Sequence, residues 1–172
     1  FNPPGSFTVE FWANPTNGLT AAANTQCPVA NLGSSGSTTR YNGYLFYAGN
    51  TVGNQQWIFR TYVGTTRYQA QASGGVALNQ WTHVVGVHDA SGPGTNFLYV
   101  NGLLAATVSP AGYVPQTSTW PMTVGNGPND GEALAFAFSG DTDATEIYTN
   151  ALSATQVAAH YTAGTAPAAN PT

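Results

Sequence analysis

Hydrophobic and polar residues alternate with a period of two along most of the chain. In SFTVEFWA, Phe7, Val9 and Phe11 fall on one face and Thr8, Glu10 and Trp12 on the other, so both faces are partly apolar. The same alternation predicts strands over 44–48, 56–63, 67–72, 82–88, 96–100, 122–125, 133–138 and 145–148, and CPVANL from Cys27 reads as a further strand-like run. Turn signals separate them: GSSGS, AGN, VGTT, ASGG, DASGPG, VNG and NGPNDG. Short strands at this spacing, joined by glycine-rich turns, indicate an all-β sandwich or jelly roll. One helix is signalled near the end. Ser153 and Gln156 form a capping box, Leu152 and Val157 stand at the staple positions, and Gly164 with Pro167 is expected to stop it. The pattern divides the chain into one domain over 1–162 and an extended tail, AGTAPAANPT, over 163–172.

Composition narrows what such a chain can do. It holds 7 acidic and 3 basic residues in 172, with no lysine, so 6% is charged against about 25% in a typical domain. Aromatic residues make up 12%, which excludes disorder. Arg40, Arg60 and Arg67 are too few and too scattered to neutralise a run of phosphates, so nucleic acid is excluded as a partner. No apolar run is long enough for a transmembrane helix, and no membrane insertion is expected. Cys27 is the only cysteine, so it forms no intramolecular disulfide and is expected as a small buried hydrophobe. The want of lysine and the wealth of threonine and asparagine are like those of secreted bacterial surface proteins, which makes an extracellular or cell-surface location the expectation. Phe1 opens the chain without an initiator Met, as is expected of a processed subunit and equally of an excised segment.

Three stretches carry a resemblance. FTVEFWANP near the start, WTHVVGVHDASGPGTNFLYVNGLLAA in the middle and FSGDTDATEIYTNALSATQVAAHY near the end resemble, in order, the laminin G-like jelly rolls of the concanavalin A-like lectin/glucanase superfamily. The middle stretch is similar to the family's W-x-H-V-x-G-V-x-D … L-Y-V-N-G hairpin. The resemblance implies a two-sheet antiparallel jelly-roll sandwich, one sheet curved, and the short C-terminal helix fits at its end. Function follows less directly, because this superfold carries lectins, glycanases, adhesion modules and spacers. Within it, His83 is expected to be packed and hydrogen-bonded, His88 to face solvent, and Asn101-Gly102 to make a tight hairpin turn. Asp89 is expected to hold backbone amides two residues on.

Three kinds of chemistry remain open. Related glucanases carry E-x-D-x-x-E, and Asp141, Asp143 and Glu146 are similar to it, with Asp in the first place. A retaining mechanism needs two carboxyls roughly 5–5.5 Å apart, and on a regular strand Glu146 would fall on the face opposite Asp141 and Asp143 unless a bulge intervenes. Glycoside hydrolysis therefore ranks third, and the chain is expected not to be an enzyme. Calcium is the candidate cofactor, with Asp141, Asp143 and Asp130 as its oxygen ligands. Neutral glycans are candidate partners, and Trp120, Tyr113 and Tyr41 are the candidate ligand-binding aromatics, while Trp12, Trp57 and Trp81 are expected in the core. The leading expectation is a non-catalytic structural or adhesive module that associates with other copies of itself. Relatives carry a strand ahead of the FTVEFW segment, where only residues 1–6 stand here, so an exposed sheet edge is expected. The C-terminal tail or a neighbouring copy would cover it, and a head-to-tail contact that does not close would build a filament.

Overall fold

The computed structural model describes residues 1–17, 25–34, 41–49, 55–117, 120–128, 134 and 136–166. Among these residues ten strands and one helix follow in the order β1 (Phe7–Pro15), β2 (Val29–Ser34), β3 (Tyr41–Ala48), β4 (Gln56–Gly64), β5 (Thr66–Gly75), β6 (Thr82–Asp89), β7 (Thr95–Val100), β8 (Leu103–Val108), β9 (Thr123–Val124), β10 (Gly140–Tyr148) and α1 (Ala154–Thr165). They form two antiparallel five-stranded sheets, β10-β1-β6-β7-β8 and β5-β4-β3-β2-β9. This is the two-sheet jelly roll with a C-terminal helix that the alternation specifies.

The core follows from that alternation. Phe7, Val9, Phe11 and Ala13 of β1 point inward and meet Tyr44, Phe46, Trp57 and Phe59 of the second sheet. Gly86 of β6 is required where the sheets come closest, because a Cβ there would lie 2.5 Å from the Phe46 ring. Asn101 and Gly102 take φ of 51° and 76°, the mirror-image turn that their pairing predicts. Ser91 N donates to Asp89 Oδ1 at 2.9 Å, so Asp89 closes its turn as expected.

Several sequence expectations fail in instructive ways. His88 is buried, not solvent-facing: it sits between the sheets on Phe7 and Tyr113, with Nδ1 2.7 Å from Asn96 Oδ1. Asn96 Nδ2 donates on to Thr61 Oγ1 at 2.8 Å, so a hydrogen-bonded polar spine replaces apolar packing there. Burial lowers the His88 pKa, which keeps the ring neutral inside. Of the strand expected over 133–138, the described residues retain only the bridge Pro128–Leu134. Phe136 and Phe138 instead donate to the loop carbonyls of Gly127 and Gly125. Cys27 is buried as expected, and burial pushes its thiol up to about 12, which leaves it unreactive.

α1 lies on the outer face of the first sheet. Ser153 caps it and Gln156 completes the capping box, while Leu152 and Val157 pack on Val85, Val87 and Tyr99. Thr8 anchors the approach, its hydroxyl donating to Asn150 O and accepting from Leu152 N, both at 2.9 Å. The helix does not stop at Gly164 but runs to Thr165, so residues 163–165 belong to it rather than to a tail. Residues 167–172 lie outside the described residues. The two sides of the sandwich differ. β5 packs against β8 on one side. On the other, between β9 and β10, a groove of about 620 Å³ is lined by Phe1, Pro3, Met122, Val124 and Ile147.

Candidate functional site

Register decides which side chains reach the outer face of the first sheet. Phe11 and Val9 point inward, so Glu10, Trp12 and Asn14 point outward, beside their β10 partners Glu146, Asp143 and Asp141. One extra residue in β10 makes this possible. Between Glu10 and Trp12 the register shifts, and Ala144 takes φ 46°, a bulge that returns Glu146 to the face of Asp141 and Asp143. The condition attached to the E-x-D-x-x-E likeness is therefore met, and the three carboxylates share a face.

α1 buries the middle of that face. Val157, His160, Tyr161 and Gly164 form a helical stripe at i, i+3, i+4 and i+7. His160 Nδ1 lies 2.8 Å from Glu10 Oε2, and His83 Nε2 lies 3.2 Å from Glu10 Oε1, outside hydrogen-bond geometry. Burial raises the Glu10 pKa, but the two histidines outweigh it and the carboxyl ends below its ordinary value. His83 is fully buried, as expected, but the hydrogen bonding expected of it is not found: its Nδ1 has no partner among the described residues. Its ring packs against Trp12 and Tyr161, with centroids 5.0 and 5.9 Å away. Trp12 in turn stacks on Tyr161 at 5.9 Å, and only glycine fits above it: a Cβ on Gly164 would lie 2.5 Å from Trp12 Cζ2.

Where the helix ends, the face opens. A groove of about 530 Å³ is lined by Trp12, Trp81, Asp143, Ala144, Gly164 and Thr165. Trp81 is 47% exposed, not a core residue, although Trp57 is buried as expected. Trp81 and His83 share a face as their spacing predicts, but that face is the outer one, where Trp81 lies in the groove at the end of α1. Asp143 is exposed and holds the bulge by accepting from Ala144 N at 2.8 Å. It is the only carboxylate in the described lining of this groove. Glu146 is engaged elsewhere, accepting from the Tyr148 hydroxyl.

The aromatics expected to bind ligand are not brought together. Tyr113 is packed into the sandwich, 4.6 Å from the Phe7 ring, and does not form an exposed platform. Tyr41 lies on the outer face of the second sheet, edge-on to Tyr62 at 5.9 Å. Trp120 is half-buried in its loop, its carbonyl accepting from Gln116 Nε2 at 2.8 Å. Of the expected calcium ligands, Asp141 and Asp143 share a face, and Asp130 lies outside the described residues. Among the described residues no group of three or more His, Cys, Asp or Glu side chains could hold a metal ion.

This fold and this outer face place the chain in a known class. The Laminin_G_3 family, described as the concanavalin A-like lectin/glucanases superfamily, matches residues 1–158, and the chain belongs to it. No curated protein matches it. Among solved structures it is similar to a native heptameric SAP-like pentraxin from Limulus polyphemus, at 19% identity and TM-score 0.63, over 91% of this chain and 70% of that one. It is also similar to domain 4 of AbnA, a GH43 extracellular arabinanase from Geobacillus stearothermophilus solved with arabinotriose, at 17% identity and TM-score 0.63, over 90% and 66%. A third likeness, at 16% and TM-score 0.66, is to the binding domain of Paraclostridial Mosquitocidal Protein 1, over 95% of this chain and 38% of that one. At these identities the likeness is one of fold. No helix among the described residues is long and apolar enough to cross a membrane.

Proposed function

We propose that this chain is a non-catalytic, extracellular carbohydrate-binding module, with the groove between Trp81 and Asp143 as its site. The exposed Trp81 ring carries the reading. A pyranose offers an apolar C–H face to an aromatic side chain and hydroxyl donors to a carboxylate, and this groove supplies both within a volume typical of small-ligand sites. The one carboxylate in its described lining supports binding over hydrolysis, which needs two carboxyls flanking one bond. The likeness to a domain solved with arabinotriose supports the same class of ligand. The test is a glycan array followed by calorimetry on the intact chain and on Trp81→Ala. Binding to at least one glycan, lost in the variant, is the expected result. An array without a hit, or unchanged affinity in Trp81→Ala, would sink the reading.

Self-association is a second reading, favoured by the open groove between β9 and β10, where Phe1 is 84% exposed. Against it stand Asp141, Asp143 and Glu146 on β10, which would face like charges if two copies paired edge to edge. A monomer mass by sedimentation across a wide concentration range would end it. Calcium at Asp141, Asp143 and Asp130 is proposed on the sequence alone, and a melting temperature unmoved by chelator would remove it.

A further inference from the structure

We infer that the Trp81 groove prefers a saccharide bearing a free ammonium group, a deacetylated amino sugar, over its N-acetylated counterpart. This rests on reading the groove as a sugar site and adds a charge requirement to it.

Three independent features make the groove electronegative. The first is the bulge at Ala144, beside Asp143, which keeps Glu146 on the face of Asp141 and Asp143 instead of letting it alternate. The second is the end of α1. Gly164 and Thr165 line the groove, so the negative terminus of the helix macrodipole lies at its rim, and no basic residue stands in the last turn to offset it. The third is the aromatic surface, since the face of an indole attracts a cation more strongly than any other side-chain ring. No positive charge answers them among the described residues. Arg60 and Arg67 belong to β4 and β5 of the other sheet. His83 and His160 face Glu10. Arg40 lies outside the described residues.

A ligand here meets an acceptor-only carboxylate, a helix end offering carbonyl oxygens, and two indole rings. Hydroxyl groups satisfy part of that set. An ammonium group on the ring satisfies all of it, donating to Asp143 while the pyranose face lies on Trp81. A carboxylated or sulfated sugar meets only repulsion.

The experiment titrates the intact chain by calorimetry with a β-1,4-linked glucosamine trisaccharide and with its fully N-acetylated form, at mildly acidic pH where the amine is charged. The amino form is expected to bind roughly tenfold more tightly in low salt, with the gap closing near 1 M salt. Asp143→Asn should narrow the gap, Asp89→Asn at the remote turn should keep it whole, and Trp81→Ala should weaken both ligands. Equal or tighter binding of the N-acetylated form, or a preference undiminished in Asp143→Asn, overturns the inference. If neither trisaccharide binds but an array shows another neutral glycan held through Trp81, the charge requirement falls and the sugar site stands. If no saccharide binds at all, both fall together.

Discussion

Glu10 and Asp143 lie on one face of one sheet, each beside a histidine or a tryptophan, yet they have opposite fates. Glu10 sits beneath α1, bracketed by His83 and His160. Asp143 sits just past the end of the helix, exposed beside Trp81. The difference is cover rather than chemistry. A carboxylate under a helix must be paired because burial penalises a lone charge. A carboxylate beyond the helix end keeps its acceptor capacity for something else. Trp12 marks the boundary, pressed by Tyr161 and Gly164 on one side and open to the groove on the other.

The largest way to break this contrast is Glu10→Ala. It strands His83 in a buried site and should cost about 3 kcal/mol by denaturant titration, with α1 loosened. Next, Gly164→Leu drives a side chain into Trp12 and should cost about 2 kcal/mol while also narrowing the groove; unchanged stability would show that the helix end is not seated on Trp12. A smaller effect comes from pH. The Glu10 pKa is depressed in the folded state, so its contribution is present above the unfolded value of 4.5 and is lost as pH falls through the lower folded value. Glu10→Gln should flatten that acid limb in melts taken across the range. The smallest effect on stability is expected of Trp81→Ala, within about 0.5 kcal/mol, although it should remove saccharide binding. If Trp81→Ala instead unfolds the protein, Trp81 belongs with the packed residues and the contrast fails.

Much of this was legible in the chain. Period-two alternation marked most strands, and Asn101-Gly102 and the Ser153–Gln156 capping box located a turn and a helix start to the residue. β8 was harder, because Leu103 and Leu104 are adjacent, apolar and both exposed, so no alternation marks the strand. The burial of His88 is hidden for a related reason: a polar residue beside Asp89 looks solvated until Asn96 and Thr61 arrive from other strands to satisfy it. The aromatics expected to bind ligand stand in or beside loops, where exposure is common, whereas an exposed indole stands just ahead of β6. The stripe Val157, His160, Tyr161 and Gly164 was a signal in plain view, since four residues at helical spacing mark the face that packs on the sheet, ending in the smallest side chain.

What the sequence by itself determined was the architecture, because alternation and turn chemistry are local and repeat every few residues. It also determined the scarcity of charge, which leaves each carboxylate conspicuous. Only the tertiary structure decided which carboxylate is paired and which aromatic is free. Those outcomes depend on a one-residue bulge opposite Glu10 and Trp12 and on where a twelve-residue helix happens to end. Both are long-range facts: the bulge is defined against a strand more than a hundred residues away, and the helix end only by what lies beneath it.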